Sequence, residues 1–305
     1  MTFPQRSVIL YIMTLTKGSI IMNKVIISSD STCDLSAALV ERYGVEVIPL
    51  YVNLGEQSFK DGLELKADEI YGYVAENHQL PKTAAATIPD YIEKFSQWVG
   101  EGYDVIHFSI SSSMSCSHQN ARLAAEEVEG NVYVIDSANL STGSGLLVLD
   151  ACDLRDEGKA AEEIVAEIEK RVPQVRASFV VDTLDYLRMG GRCSAVAALG
   201  ANLLKLHPRI YVEGGKMSVA EKYRGTIDNV MVQYVRQMLG RDGDKLRKNR
   251  CFVTHTKCNA ETVEKVKALV AEAGVFEEIL ETEAGCVITS HCGAGTLGIL
   301  YEVTE

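Results

Sequence analysis

Short apolar runs alternate with amphipathic stretches along most of this 305-residue chain. Lys24 to Ser28 is a compact β-branched run, and the segment Asp30-Ser31-Thr32-Cys33-Asp34-Leu35-Ser36 after it is rich in turn and capping residues. The pattern predicts a strand entering a helix that runs through Ala37 to Val40 and stops at Gly44, then a second apolar strand from Val45 to Val52. The rhythm returns with a strand at Tyr103 to Ile110, a helix at Ala121 to Val128, a strand at Asn131 to Ile135 and an Ala/Leu-rich helix from Ser144 to Arg155. Strands that are nearly continuous apolar runs imply helices on both faces, hence a mainly parallel, doubly wound α/β sheet.

A charged amphipathic helix after Gly158 ends near Arg171-Val172-Pro173, where proline disfavours helix in the residue before it. A domain boundary is expected there, giving an N-terminal α/β domain over 23–172 and a C-terminal α/β domain over 173–305. The chain is longer than one core usually supports, which agrees with two domains. The second half reads as a mixed sheet. Its strands fall at Ser178 to Val181, Cys251 to His255, Phe276 to Glu281 and Cys286 to Thr289, with a hairpin of Arg209 to Glu213 and Lys216 to Ala220 around Gly214-Gly215. Helices are expected at Thr226 to Leu239 and Ala260 to Ala273.

The first residues stand apart from this pattern. Val8 to Leu15 is apolar but too short to span a bilayer, and the stretch lacks a convincing small-residue cleavage site. Residues 1–22 are therefore expected to be an extension outside the fold, with translation starting at Met22. A formal charge of −12 gives little reason to expect nucleic acid or stable membrane insertion. Eight cysteines in a chain of this length are not a disulfide framework and suit a reducing, cytoplasmic setting.

The densest polar cluster is Ser109-Ile110-Ser111-Ser112-Ser113-Met114-Ser115-Cys116-Ser117-His118, between a strand's C-terminal end and a helix start. Ligands of open α/β sheets bind in that position, where hydroxyls and amides can hold an anion such as a carboxylate. One serine suffices as a helix cap, and six within nine residues exceed that need. A serine hydrolase or transferase using Ser113 or Ser115 is the enzyme alternative, but no G-x-S-x-G elbow surrounds these serines and His118 is too near in sequence for its role to be inferred. The G-x-G-x-x-G at Gly293 to Gly298 is followed by too few residues for a dinucleotide fold, so its glycines are expected to form a tight turn or permit close backbone approach. Cys251, His255, Cys258, Cys286, His291 and Cys292 lack zinc-site spacing, so no metal is expected. His291 reads either as a ligand donor or as a hydrogen-bonded loop histidine, and Arg188, Arg192, Lys222 and Arg224 read either as a positive surface or as solvated helix ends.

Taken in order, SSDSTCDL (28–35), VIPLYVNLGEQSFKDG (47–62), PKT (81–83), ISSSMS (110–115), IDS (135–137), LDYLRMGGRCS (184–194), KYRGT (222–226) and HCGAG (291–295) resemble the DegV family of fatty-acid-binding proteins over about Lys24 to Gly298. The resemblance implies a two-domain α/β fold with one long-chain fatty acid in a buried tunnel. It also implies a non-catalytic subunit without a cofactor, whose partner, a fatty acid kinase, phosphorylates the bound carboxylate for phospholipid synthesis. By motif position it implies head-group contacts from Thr83 and Ser115, with His291 as a further candidate and Ser112 and Ser113 beside them. Arg192 and Arg224 match positions expected to face the kinase. The chain departs from the family pattern at Ala84, Cys116, Ser117, Cys292 and Ala294. A binding protein for another small apolar acid is the nearest rival reading.

Overall fold

A computed structural model describes residues 24–197 and 206–304 of the chain. The extension expected over 1–22 lies outside the described residues. The first half contains strands β1 Lys24–Asp30, β2 Val45–Ile48, β3 Tyr51–Leu54, β4 Gln57–Lys60, β5 Lys82–Ala84, β6 Tyr103–Ser109 and β7 Val132–Asp136. Helices α1 Ala37–Tyr43, α2 Ala67–Asn77, α3 Ile88–Gly100, α4 Ser117–Glu126, α5 Thr142–Asp156 and α6 Ala161–Arg171 accompany them. The second half contains β8 Val175–Val180, β9 Leu206–Glu213, β10 Lys216–Arg224, β11 Leu246–Thr256, β12 Glu278–Glu283 and β13 Thr296–Val303. Its helices are α7 Asp185–Gly190, α8 Ser194–Ala197, α9 Ile227–Asp242, α10 Ala260–Glu272 and α11 Cys286–Cys292.

The architecture is the expected two-domain mixed α/β fold. A parallel sheet has the order β2-β1-β6-β7, a mixed sheet the order β10-β9-β8-β13-β11-β12, and a small sheet the order β4-β3-β5. Helix α5 is almost wholly buried, with Leu146, Leu147, Val148, Leu149 and Ala151 covered on every side. It shares one core with Ile27, Ile106 and Phe108 of the parallel sheet and with Phe252 and Leu300 of the mixed sheet. Polar links reinforce that junction. Buried Asp150 on α5 receives Arg171 Nη1 at 2.6 Å and Arg250 Nη1 at 3.1 Å, so α5, α6 and β11 meet on one carboxylate.

Three expectations change. The apolar run Val45 to Val52 is not one strand: Pro49, which offers no N–H to a ladder, divides it into β2 and β3, which join different sheets. The run Cys286 to Thr289 is the first part of helix α11, not a strand. Short buried apolar runs suit either state, and here two carboxylates settle it, because Asp34 accepts from Gly285 N–H and Asp61 from Cys286 N–H, each at 2.8 Å. The strand expected at Phe276 to Glu281 is displaced to Glu278–Glu283.

The hairpin of β9 and β10 forms as expected, with Gly214 and Gly215 both at positive φ. The glycine run near residue 295 divides its work: Gly295 turns at positive φ, whereas Gly298 lies within β13, where a Cβ would come 2.7 Å from the Ser178 carbonyl oxygen.

Candidate functional site

Asp30, fully buried at the end of β1, accepts hydrogen bonds from Ile110 N–H at 2.9 Å and Tyr91 hydroxyl at 2.8 Å. It thereby fixes where the serine-rich loop leaves β6. Ser111 donates to the Gly215 carbonyl at 2.7 Å, tying the same loop to the β9–β10 turn. A Cβ at Gly215 would lie 2.7 Å from Ser111 Oγ, so this turn needs glycine for space as well as for its positive φ.

The loop forms one wall of a cavity of about 240 Å³. Apolar lining comes from Leu50, Ile110, Leu140, Met217, Val287 and Ile288; Thr83, Ser115, Cys116, Arg192 and His291 supply its polar groups. A smaller chamber of about 30 Å³ shares Leu140, Ile288 and Cys292 with it and continues toward Phe179, Gly298 and Leu300. Threonines also line that chamber, but their hydroxyls are turned inward: Thr254 bonds Thr142 and Thr282, and Thr296 bonds the Cys292 carbonyl. What faces the chamber is therefore mainly hydrocarbon.

At the polar end, Thr83 Oγ1 lies 2.8 Å from His291 Nε2. Burial, followed by the nearby Arg192 charge, pushes the imidazole down to about 4, so it is neutral near pH 7. A neutral imidazole carries one proton. Nδ1 has no hydrogen-bond partner among the described residues, and a Cβ at Gly190 would sit 2.4 Å from it. A buried N–H without an acceptor is the costlier arrangement, so the proton belongs on Nε2, donating to Thr83. The Thr83 hydroxyl proton is then free for another acceptor. Across the cavity, Ser115 Oγ is 2.9 Å from Ser117 Oγ and accepts from Ser117 N–H at 3.2 Å.

Of the residues singled out from sequence, Thr83, Ser115, His291 and Arg192 line one cavity. Ser112 and Ser113 are exposed and outside its lining; Ser112 N–H bonds Asp136 Oδ1 at 3.2 Å and Ser113 N–H bonds Ser111 Oγ at 3.2 Å. Arg224 is exposed at the end of β10, also outside the lining. His118 bonds Ser109 rather than a cavity serine, at 3.1 Å. The cysteines and histidines of the last third belong to no group of three or more metal-capable side chains among the described residues.

Asp34 and Asp61 lie in the quoted motifs, and no local pattern marks either as part of the site. They hold the N-terminal end of the helix that presents His291, and their only trace in the sequence is a pair of acids flanking turns ahead of apolar runs. Burial, with the Asp61 charge adding to it, pushes Asp34 up to about 8 against the hydrogen bonds from Ser141 and Gly285.

The arrangement defines a two-domain α/β protein with an apolar cavity that ends in hydroxyls and a neutral imidazole, suited to an elongated acid. Residues 24–304 match the family model described as "Uncharacterised protein, DegV family", and the chain belongs to the DegV family. It is 32% identical over 285 residues to a DegV domain-containing protein of Clostridium acetobutylicum, covering 92% of this chain and 99% of the relative. It is 32% identical over 288 residues to a fatty acid-binding protein of Thermotoga maritima, with the same coverages. A DegV family protein from Thermus thermophilus, whose structure is described as fatty acid binding, superposes with a TM-score of 0.85 at 31% identity, covering 92% of this chain and all of that one.

Proposed function

We propose that this protein binds a long-chain fatty acid, with the carboxylate at Thr83, Ser115 and His291 and the acyl chain running past Leu140, Ile288 and Cys292 into the smaller chamber. The observation that carries this reading is the Thr83–His291 hydrogen bond at the polar end of an otherwise apolar cavity. Each buried methylene contributes about 0.8 kcal/mol, and charge-assisted hydrogen bonds offset desolvation of the carboxylate. The fatty-acid binding described for the Thermus and Thermotoga relatives supports it.

The protein then serves as a carrier without catalysis or cofactor of its own, in the cytoplasm. It presents the carboxylate to a fatty acid kinase whose acyl phosphate product feeds phospholipid synthesis. Arg192, at the cavity and exposed, and Arg224, exposed on β10, face that partner. Mass spectrometry of lipid extracted from the protein purified without added ligand tests the binding. A stoichiometric fatty acid that diminishes in Thr83→Val and Ser115→Ala supports the reading. An extract free of lipid, from protein that also takes up no supplied fatty acid, overturns it. Loss of ATP-dependent acyl phosphate formation in Arg192→Ala, with fatty acid still bound, tests the partner surface.

A further inference from the structure

The mixed sheet opens between two of its strands. β8 and β9 pair only over Ser178–Val180 and Arg209–Tyr211, and the start of β8 and the end of β9 have no ladder between them. The gap is a cleft of about 560 Å³, walled by β8, β9, the C-terminal end of α9 and the loop at Ala138 and Asn139. It shares no lining residue with the 240 Å³ cavity.

Arg209 is the most buried charged residue of this cleft, 4% exposed. Its Nε donates to Glu221 Oε2 at 2.6 Å, and its guanidinium lies 5.2 Å from the centroid of the Tyr211 ring. The side chain is thus held from two sides, yet neither Nη group has an acceptor among the described residues. That Nη1/Nη2 edge borders the cleft, and such a fork matches two oxygens of one oxyanion.

Two further guanidiniums reach the cleft. Arg176 anchors Nη1 on the Pro173 carbonyl at 2.8 Å, and Arg241 lies 3.7 Å from Glu221 Oε1, so the single Glu221 carboxylate is shared with Arg209. Asp242, which accepts from the Tyr301 hydroxyl at 2.6 Å, and Glu213, exposed beside the hairpin turn, also line the cleft, so selectivity for an anion rests on the Arg209 fork rather than on net charge.

We propose that this cleft is a second binding site, for a phosphorylated small molecule whose phosphate is gripped by the open edge of Arg209 and flanked by Arg176 and Arg241. The cleft is larger than a bare phosphate, leaving room for the rest of the molecule along the splayed strand ends.

Isothermal titration of the full chain with inorganic phosphate and with pyrophosphate, at fixed ionic strength, tests it. Saturable binding is expected for the protein and for Arg122→Gln, a surface charge control on α4. Affinity is expected to fall at least tenfold in Arg209→Lys, which keeps the charge and loses the fork, and in Arg241→Gln. Retained fatty acid is expected to be unchanged in all of them. Absence of saturable binding by either probe overturns the proposal, as does equal weakening in Arg122→Gln and Arg241→Gln, which would mean diffuse attraction. If Arg209→Lys melts early, the surface variants Arg241→Gln and Arg176→Gln decide.

Discussion

Oδ1 of the Asp34 carboxyl accepts a hydrogen bond from Gly285 N–H at 2.8 Å, joining the turn after β1 to the start of the helix that carries His291. The same carboxyl is pushed from 3.8 up to about 8. Between those values the folded protein retains a proton that the unfolded chain has released, so its contribution to stability is full at low pH and is lost as pH rises toward about 8. His291 has the opposite sign: it is pushed from 6.5 down to about 4, so stability is lost as pH falls through that range. The two slopes oppose each other in acid, and above 6.5 Asp34 acts without His291. Asp34→Asn is expected to flatten the fall in melting temperature between about pH 6.5 and 8. An equally steep fall in the variant would refute this role.

Gly190→Ala isolates the imidazole's position. Gly190 is the last residue of α7, and an added methyl would lie 2.4 Å from His291 Nδ1. Its φ is not in the left-handed region, so the backbone tolerates alanine and the strain falls on the ring. Fatty acid retention should drop, with about 1–3 kcal/mol lost in binding, while circular dichroism stays that of the folded protein. Unchanged retention would detach His291 from the head group.

Cys292 stands between the two chambers, and burial pushes its thiol up to about 12, which leaves it a small apolar wall rather than a nucleophile. Cys292→Leu is expected to shift the bound acids toward shorter chains in the mass spectrum, weakening long-chain binding about tenfold, the effect of roughly two displaced methylenes. A chain-length profile identical to that of the parent would place the tail elsewhere.

Asp150 gathers Arg171, Arg247 and Arg250 while being 1% exposed. Without it Arg171 keeps Glu167, Arg247 keeps Glu302 and Arg250 keeps Asp153, so Asp150→Ala removes the shared hub but not every partner and should destabilise the protein by about 1–3 kcal/mol in urea unfolding. A loss well below about 1 kcal/mol would show that those partners suffice without Asp150.

The sequence made the parallel sheet legible because its strands are continuous apolar runs separated by amphipathic helices, and it made the β9–β10 hairpin legible through Gly214-Gly215. Two failures share a cause. The runs at 45–52 and 286–289 are mostly apolar and too short to show a period, so what divides the first is Pro49, and what makes the second a helix is a pair of acidic side chains more than two hundred positions upstream. Thr83, Ser115 and His291 were named from motif resemblance, yet their convergence depends on β5 pairing with β3 and α11 docking beside it, contacts that no local pattern encodes. Arg209 drew no notice, since an arginine inside a strand pattern reads as a solvated face until the gap beside β8 is seen.

Strand β13 lies between β8 and β11, yet it is the last of the three to be translated. The mixed sheet therefore cannot be assembled in the order in which a ribosome delivers it. Until residues 296–303 emerge, β8 and β11 each wait with an apolar edge unpaired, and closing the sheet requires contacts across a long loop. During that interval the open edges of β8 and β11 can pair wrongly, with each other or with another chain.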